Sequence, residues 1–293
     1  MKAIRPIVIA AVLLAGPSAC SSSSSDSSSD TDDGGGLADD GGLTTDEGVT
    51  FSSGGDSLAA DQETVTLADS LFDFDPTIDP SATPNANAAS IGANAQTNLG
   101  SSCGDVSISG ASVTVNFGAA PGCTLADGAQ ISGMVSLGVT QSGTTTTIAL
   151  TLASVVVNGE ALSGQASFAT TNGSTFTVTS TVTSGTKDTT AHLTVVGGAS
   201  SFTISGTSDV TEGGSTFAVT FDDVMHVKGE CYATSGSMTV VEGPTSEVIT
   251  FGPSTPVTGV VSVQIGKRST SSTLPAYGNC PSDAASDAGR GRD

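Results

Sequence analysis

The chain is 293 residues long, with 29 acidic against 8 basic side chains and a net charge of −21. That balance, with no basic patch, excludes nucleic acid and anionic membrane surfaces as partners. Two histidines and no tryptophan leave little for general acid–base chemistry or for aromatic girdles around a membrane barrel.

The leader comes first. Met1, Lys2 and Arg5 precede an apolar run from Ile7 to Gly16, and small residues then lead to Cys20. A basic start, a short apolar core and small residues describe a secretory signal, and ten apolar residues are too few to span a bilayer. Cysteine at this junction resembles the lipobox of bacterial lipoproteins, whose first mature residue is a diacylated cysteine. Ser18 and Ala19 fit that pattern; Pro17 stands where the family carries an aliphatic residue. The resemblance implies signal-peptide residues 1–19, a lipid on Cys20 and membrane attachment through it. Ser21 beside the lipid cysteine implies sorting to the outer membrane. Two or three acyl chains anchor almost permanently, since each buried methylene is worth about 0.8 kcal/mol. The alternative is ordinary secretion with Cys20 unmodified.

Residues 20–56 are then almost entirely Ser, Asp, Gly and Thr. Such a segment buries too little apolar surface to offset its ordering entropy, so a disordered tether is expected, spanning roughly 30–35 Å as a coil. Of the 29 acids, 15 fall between Asp26 and Asp79, so the extreme acidity belongs mainly to this stalk and its continuation. The clusters Asp30–Gly35 and Asp73–Asp79 lack the spacing of a calcium loop and read as solvated linker, with no metal or other cofactor. Residues 57–100 are transitional. Thr66 and Asp69 have capping-box spacing, with Pro76 as a stop, and Asn87 is placed to cap a second short helix bearing Ile91, Ala95 and Leu99.

From Asp105 to Gly266, within a β-domain expected over residues 101–281, the period becomes two. Phe176, Val178 and Val182 alternate with Thr177, Thr179, Thr181 and Thr183; Phe217, Val219 and Phe221 repeat the pattern, as do Val261, Val263 and Ile265. Asn158-Gly159, Asn172-Gly173, Gly197-Gly198 and Gly213-Gly214 mark tight turns. About eleven antiparallel strands are expected, in an all-β meander closed or curled as a barrel or sandwich, because one apolar face cannot stay in water. The helical residues 57–100 are expected to cover an open end. Leu162–Val182 is similar to Ile204–Val224, and Ser-Gly recurs at Ser132, Ser163, Ser205 and Ser235 at irregular intervals. Irregularity excludes a solenoid and fits repeated hairpins. Residues 282–293 read as a disordered tail.

Five cysteines become four in the exported domain if Cys20 carries lipid. Three pairings are open. Cys103–Cys123 and Cys231–Cys280 close local loops, each worth roughly 3–4 kcal/mol, and are favoured over metal ligation because no pair has the needed spacing.

The run from Cys123 to Gly164, with its Asp-Gly and Val-Asn-Gly turns, resembles β-rich lipoproteins of Gram-negative bacteria. It implies an antiparallel envelope domain and brings no catalytic residues. No nucleophile elbow, phosphate loop or zinc-protease motif occurs. Asp222, Asp223 and His226 form the best cluster: if their strand continues unbroken, Asp222 and His226 share a face and suit a hydrolase. A solvated strand end is the simpler reading, as it is for His192. The threonine rows at Thr144–Thr147 and Thr175, Thr177 and Thr179 resemble ice-binding or adhesive arrays, yet threonine is also an ordinary outward strand residue. The sequence therefore points to a non-enzymatic, lipid-anchored envelope protein, structural or binding a surface partner, with an envelope carrier of apolar ligands such as lipid as the alternative.

Overall fold

Period-two alternation resolves into a single sheet. The computed structural model describes residues 78–99, 103–124, 130–198, 200–212, 214–227, 230 and 232–274. Helix α1 (Pro84–Leu99) leads into β1 (Asp105–Ser109), β2 (Ser112–Thr124), β3 (Gln130–Ser142), β4 (Thr145–Val157) and β5 (Glu160–Thr170). Then follow β6 (Thr175–Ser184), β7 (Lys187–Gly197), β8 (Ser201–Glu212), β9 (Ser215–Val227), β10 (Ser235–Glu242) and β11 (Thr245–Phe251). A one-turn helix α2 (Thr255–Thr258), β12 (Val260–Ile265) and β13 (Arg268–Thr273) complete the described chain.

All thirteen strands are antiparallel, and their order in the sheet is their order in the chain. β1 and β13 are the two edges, so the sheet is not closed as a barrel; it curls as a sandwich does, with its apolar face inward. Thirteen strands exceed the eleven that alternation marks. β13 contains no apolar residue, so nothing in its own pattern announces it, and it forms by pairing with β12. Buried apolar side chains from β2 through β12 join one continuous core.

One open end of the curl is covered from outside the sheet. Pro84 opens α1, and the Thr83 hydroxyl accepts the Ala86 N–H at 3.3 Å as its cap. Asn87 is therefore not the cap that its spacing suggests. It is buried in the first turn, where its amide oxygen accepts the Asp79 N–H and its amide nitrogen donates to the Asp79 carbonyl, both at 2.9 Å. Ala88, Ile91 and Ala95 form the buried stripe, and α1 packs on β1, β2 and β3. Gln141 donates to the Pro80 carbonyl, while Gly173 in the β5–β6 turn lies against Ile78 and Pro80, so this strap spans several turns. The Thr66–Asp69 helix lies outside the described residues.

Besides the irregular register of β2, strands β4 and β9 each carry a bulge, and the recurring Ser-Gly pairs explain where. On β4, Ser154 has a left-handed φ of 53°, and two of its residues oppose one on each neighbour: Gly133 of β3 and Ser163 of β5. On β9, Asp223 has a φ of 49°, and two residues again oppose one: Gly236 of β10 and Ser205 of β8. A Cβ on Gly133 would sit 2.1 Å from the Ser154 carbonyl oxygen, and one on Gly236 would sit 2.4 Å from that of Asp223. Only glycine admits the bulged backbone at that distance. A half-turn about the sheet normal between β6 and β7 thus relates β4 to β9, β5 to β8 and β3 to β10. The Ser-Gly recurrence records this two-fold arrangement of kinks rather than a row of rungs.

The bulge also resets the phase of each strand. In β4 the inward residues are Ile148, Leu150 and Leu152 before it, and Val155 and Val157 after it. Without the extra residue both valines would face water.

Cys103 and Cys123 form a disulfide, with Cα atoms 5.2 Å apart. Between Gly118 and Cys123 strand β2 leaves regular register with β3, and the bridge ties this irregular stretch to the chain entering β1. A separation of 20 residues makes the link worth roughly 3 kcal/mol in the chain-entropy model. Cys20, Cys231 and Cys280 lie outside the described residues.

Candidate functional site

The acid–histidine cluster on β9 does not assemble. The inward residues of β9 are Phe217, Val219 and Phe221 up to the bulge, and Val224 and His226 beyond it. Asp222 and Asp223 remain exposed while His226 turns into the core, so Asp222 and His226 lie on opposite faces. The expectation of a shared face fails because it assumed an unbroken strand. His226 stacks on Phe202, its cross-strand neighbour, with ring centroids 5.5 Å apart and planes at 25°. Asp223 accepts a hydrogen bond from the Ser205 hydroxyl at 2.8 Å, which fixes the kink rather than a reacting group. Among the described residues no group of three His, Cys, Asp or Glu side chains is placed to hold a metal ion.

Thr146, inside one of the threonine runs, is buried on the core face, so that run is not a flat outward array. On β6 the expectation holds: Thr177, Thr179 and Thr181 are exposed, with Phe176, Val178 and Val182 beneath.

The feature with the geometry of a site lies on this outward face, across β4 to β7. It is an open groove of about 290 Å³. Register explains the depression. On the outward face Ala149 pairs with Ser167, and Ser167 with Thr179. Small side chains at successive cross-strand positions leave the middle of the sheet low. Larger polar residues stand around them: Thr151 pairs with Gln165, Gln165 with Thr181, and Thr181 with Thr190. Thr179 pairs with His192, the only titratable side chain lining the groove. His192 is exposed, as its position opposite Leu193 in the alternation implies. The site is thus an uncharged patch of hydroxyls, one amide and one imidazole, capable of hydrogen bonding and without a nucleophile–base pair. Gln165, Ser167 and Thr190 carry no motif, and only strand register brings them together.

No protein-family model, curated protein or solved structure matches this chain.

Proposed function

We infer that this protein is a lipid-anchored component of the bacterial cell envelope, held through Cys20 at the outer membrane, whose β-domain is structural or binds a surface partner and is not an enzyme. Cys20 itself carries the reading: a basic and apolar leader ends at it, and a long acidic, serine-rich tether begins after it. Two further observations support it. The fold is a non-transmembrane-looking sheet in one respect, since its outward face is hydroxylated rather than apolar, as a domain standing in water requires. The Cys103–Cys123 bridge suits an oxidising compartment beyond the cytoplasmic membrane. No helix among the described residues is long and apolar enough to cross a membrane.

Intact-mass and fatty-acid analysis of the mature N-terminus tests this reading. The expected product begins at Cys20 and carries ester- and amide-linked acyl chains. Mature protein recovered from culture fluid with an unmodified thiol at that position overturns it.

A further inference from the structure

Antiparallel order gives the sheet two unlike ends. Connections after the odd-numbered strands lie at one end, and those after the even-numbered strands lie at the other. The second end is charged: Glu160, Lys187, Glu212, Glu242, Lys267 and Arg268 flank its turns. At the first end, the described turn residues carry one charge, Glu230, and the strap adds Asp79. Exposed apolar side chains divide the other way. Among the described residues Ile108, Val196, Val257 and Val260 lie at the first end, whereas Met134 and Val241 lie away from it. Scattered exposed valines are ordinary on a folded surface; their collection at the end that lacks charge is not. Val257 on α2 is 85 % exposed. Its loop is fixed by buried Thr255, whose hydroxyl accepts the Gly252 N–H at 2.8 Å and donates to the Val260 carbonyl at 2.7 Å. The described chain also begins at this end: Ile78 and Pro80 lie against Gly173 in the β5–β6 turn, and Gln141 donates to the Pro80 carbonyl. Residues 21–77 therefore connect Cys20 to the uncharged end of the sheet.

We propose that this end docks on a zwitterionic phospholipid surface, with Val257, Val260 and Val196 as the apolar contacts and the charged turns facing away. The proposal rests on reading Cys20 as the anchor and names the surface that the domain then meets. Charge sets the lipid class. A chain of net charge −21 is repelled by an anionic surface, while a zwitterionic one leaves the apolar contact unopposed. Three valines are too few to hold a free chain on a bilayer. Tethering changes the balance, because a flexible linker keeps its domain at an effective concentration of roughly millimolar, where a weak contact is populated. The pinned α2 loop adds to this, since Val257 already points outward and little ordering remains to be done on contact.

The chain contains no tryptophan, so a single introduced one reports alone. Val257→Trp places it at the proposed contact, and Thr186→Trp places it in the exposed β6–β7 turn at the opposite end. Each full-chain variant is held on phosphatidylcholine vesicles through Cys20, by its own acyl chains or, where mass analysis finds a free thiol, by coupling that thiol to a maleimide lipid. Emission of the Val257→Trp chain shifts to the blue and is quenched by brominated acyl chains; that of the Thr186→Trp chain does neither. Adding Val196→Asp and Val260→Asp to the Val257→Trp chain cuts the quenching several-fold, because a carboxylate must then enter the contact. Adding Met134→Asp and Val241→Asp instead, the exposed apolar residues away from this end, leaves it unchanged. Equal emission from the two ends, quenching confined to vesicles containing phosphatidylglycerol, or equal loss with the two aspartate pairs overturns the proposal. Mass analysis reads acylation separately: a free thiol with docking retained sinks the anchor alone, and acylation without docking sinks this inference alone.

Discussion

Glu247 sits on the inward face of β11, 6 % exposed, paired across the ladder with Val240 on one side and Ile265 on the other. Burial pushes its carboxyl above the usual glutamate value, because the charged form gives up water there. The sign of the linkage follows. The folded state holds the proton more tightly than the unfolded chain, so this group's contribution improves as pH falls toward the ordinary glutamate range and worsens as pH rises above it. Glu247→Gln is therefore expected to melt higher than the parent at pH 7, with the advantage gone at pH 4; thermal scans at the two pH values check it. Asp79 behaves oppositely. The hydroxyl and backbone N–H of Ser81 hold its carboxyl below the usual range, and its exposure keeps the consequence small.

At the scale of elements, the two bulges control which residues are inside. Gly133→Ala and Gly236→Ala each force a methyl against a neighbouring carbonyl at a left-handed φ, and each should cost roughly 2–4 kcal/mol in urea unfolding. Gly138→Ala, whose added methyl meets nothing within 4 Å, should cost little or slightly stabilise. Alternation was sufficient to read the strands of the central sheet, the inward residues of β6 and the Asn158-Gly159 turn, because each depends only on local pattern. The inside–outside switch at Asp223 was not readable that way. Period two assumes that no residue is added, and the glycine that permits the addition lies thirteen positions away on another strand. The groove was hidden for the same reason: Ala149, Ser167 and Thr179 are unremarkable until register aligns them.

Across the whole molecule, the disulfide among the described residues falls at one extreme of the sheet. It joins the chain entering β1 to β2. At the other extreme the Tyr232 hydroxyl donates to the Leu274 carbonyl at 3.4 Å, and Leu274 also donates its N–H to Gly259. Residue 231 adjoins Tyr232, and Cys280 lies six positions beyond Leu274, a span of at most about 20 Å. Non-reducing peptide mapping is expected to recover the peptide containing Cys231 joined to that containing Cys280, and separate thiol-bearing peptides would refute that link.

Because position in the sheet repeats position in the chain, no strand must wait for a distant one. Each new hairpin can add to the finished portion as soon as its own residues are available, with β13 last in the series. Assembly of this kind proceeds from one terminus to the other, and an interruption leaves a shorter ordered sheet with a fresh growing edge instead of a tangle.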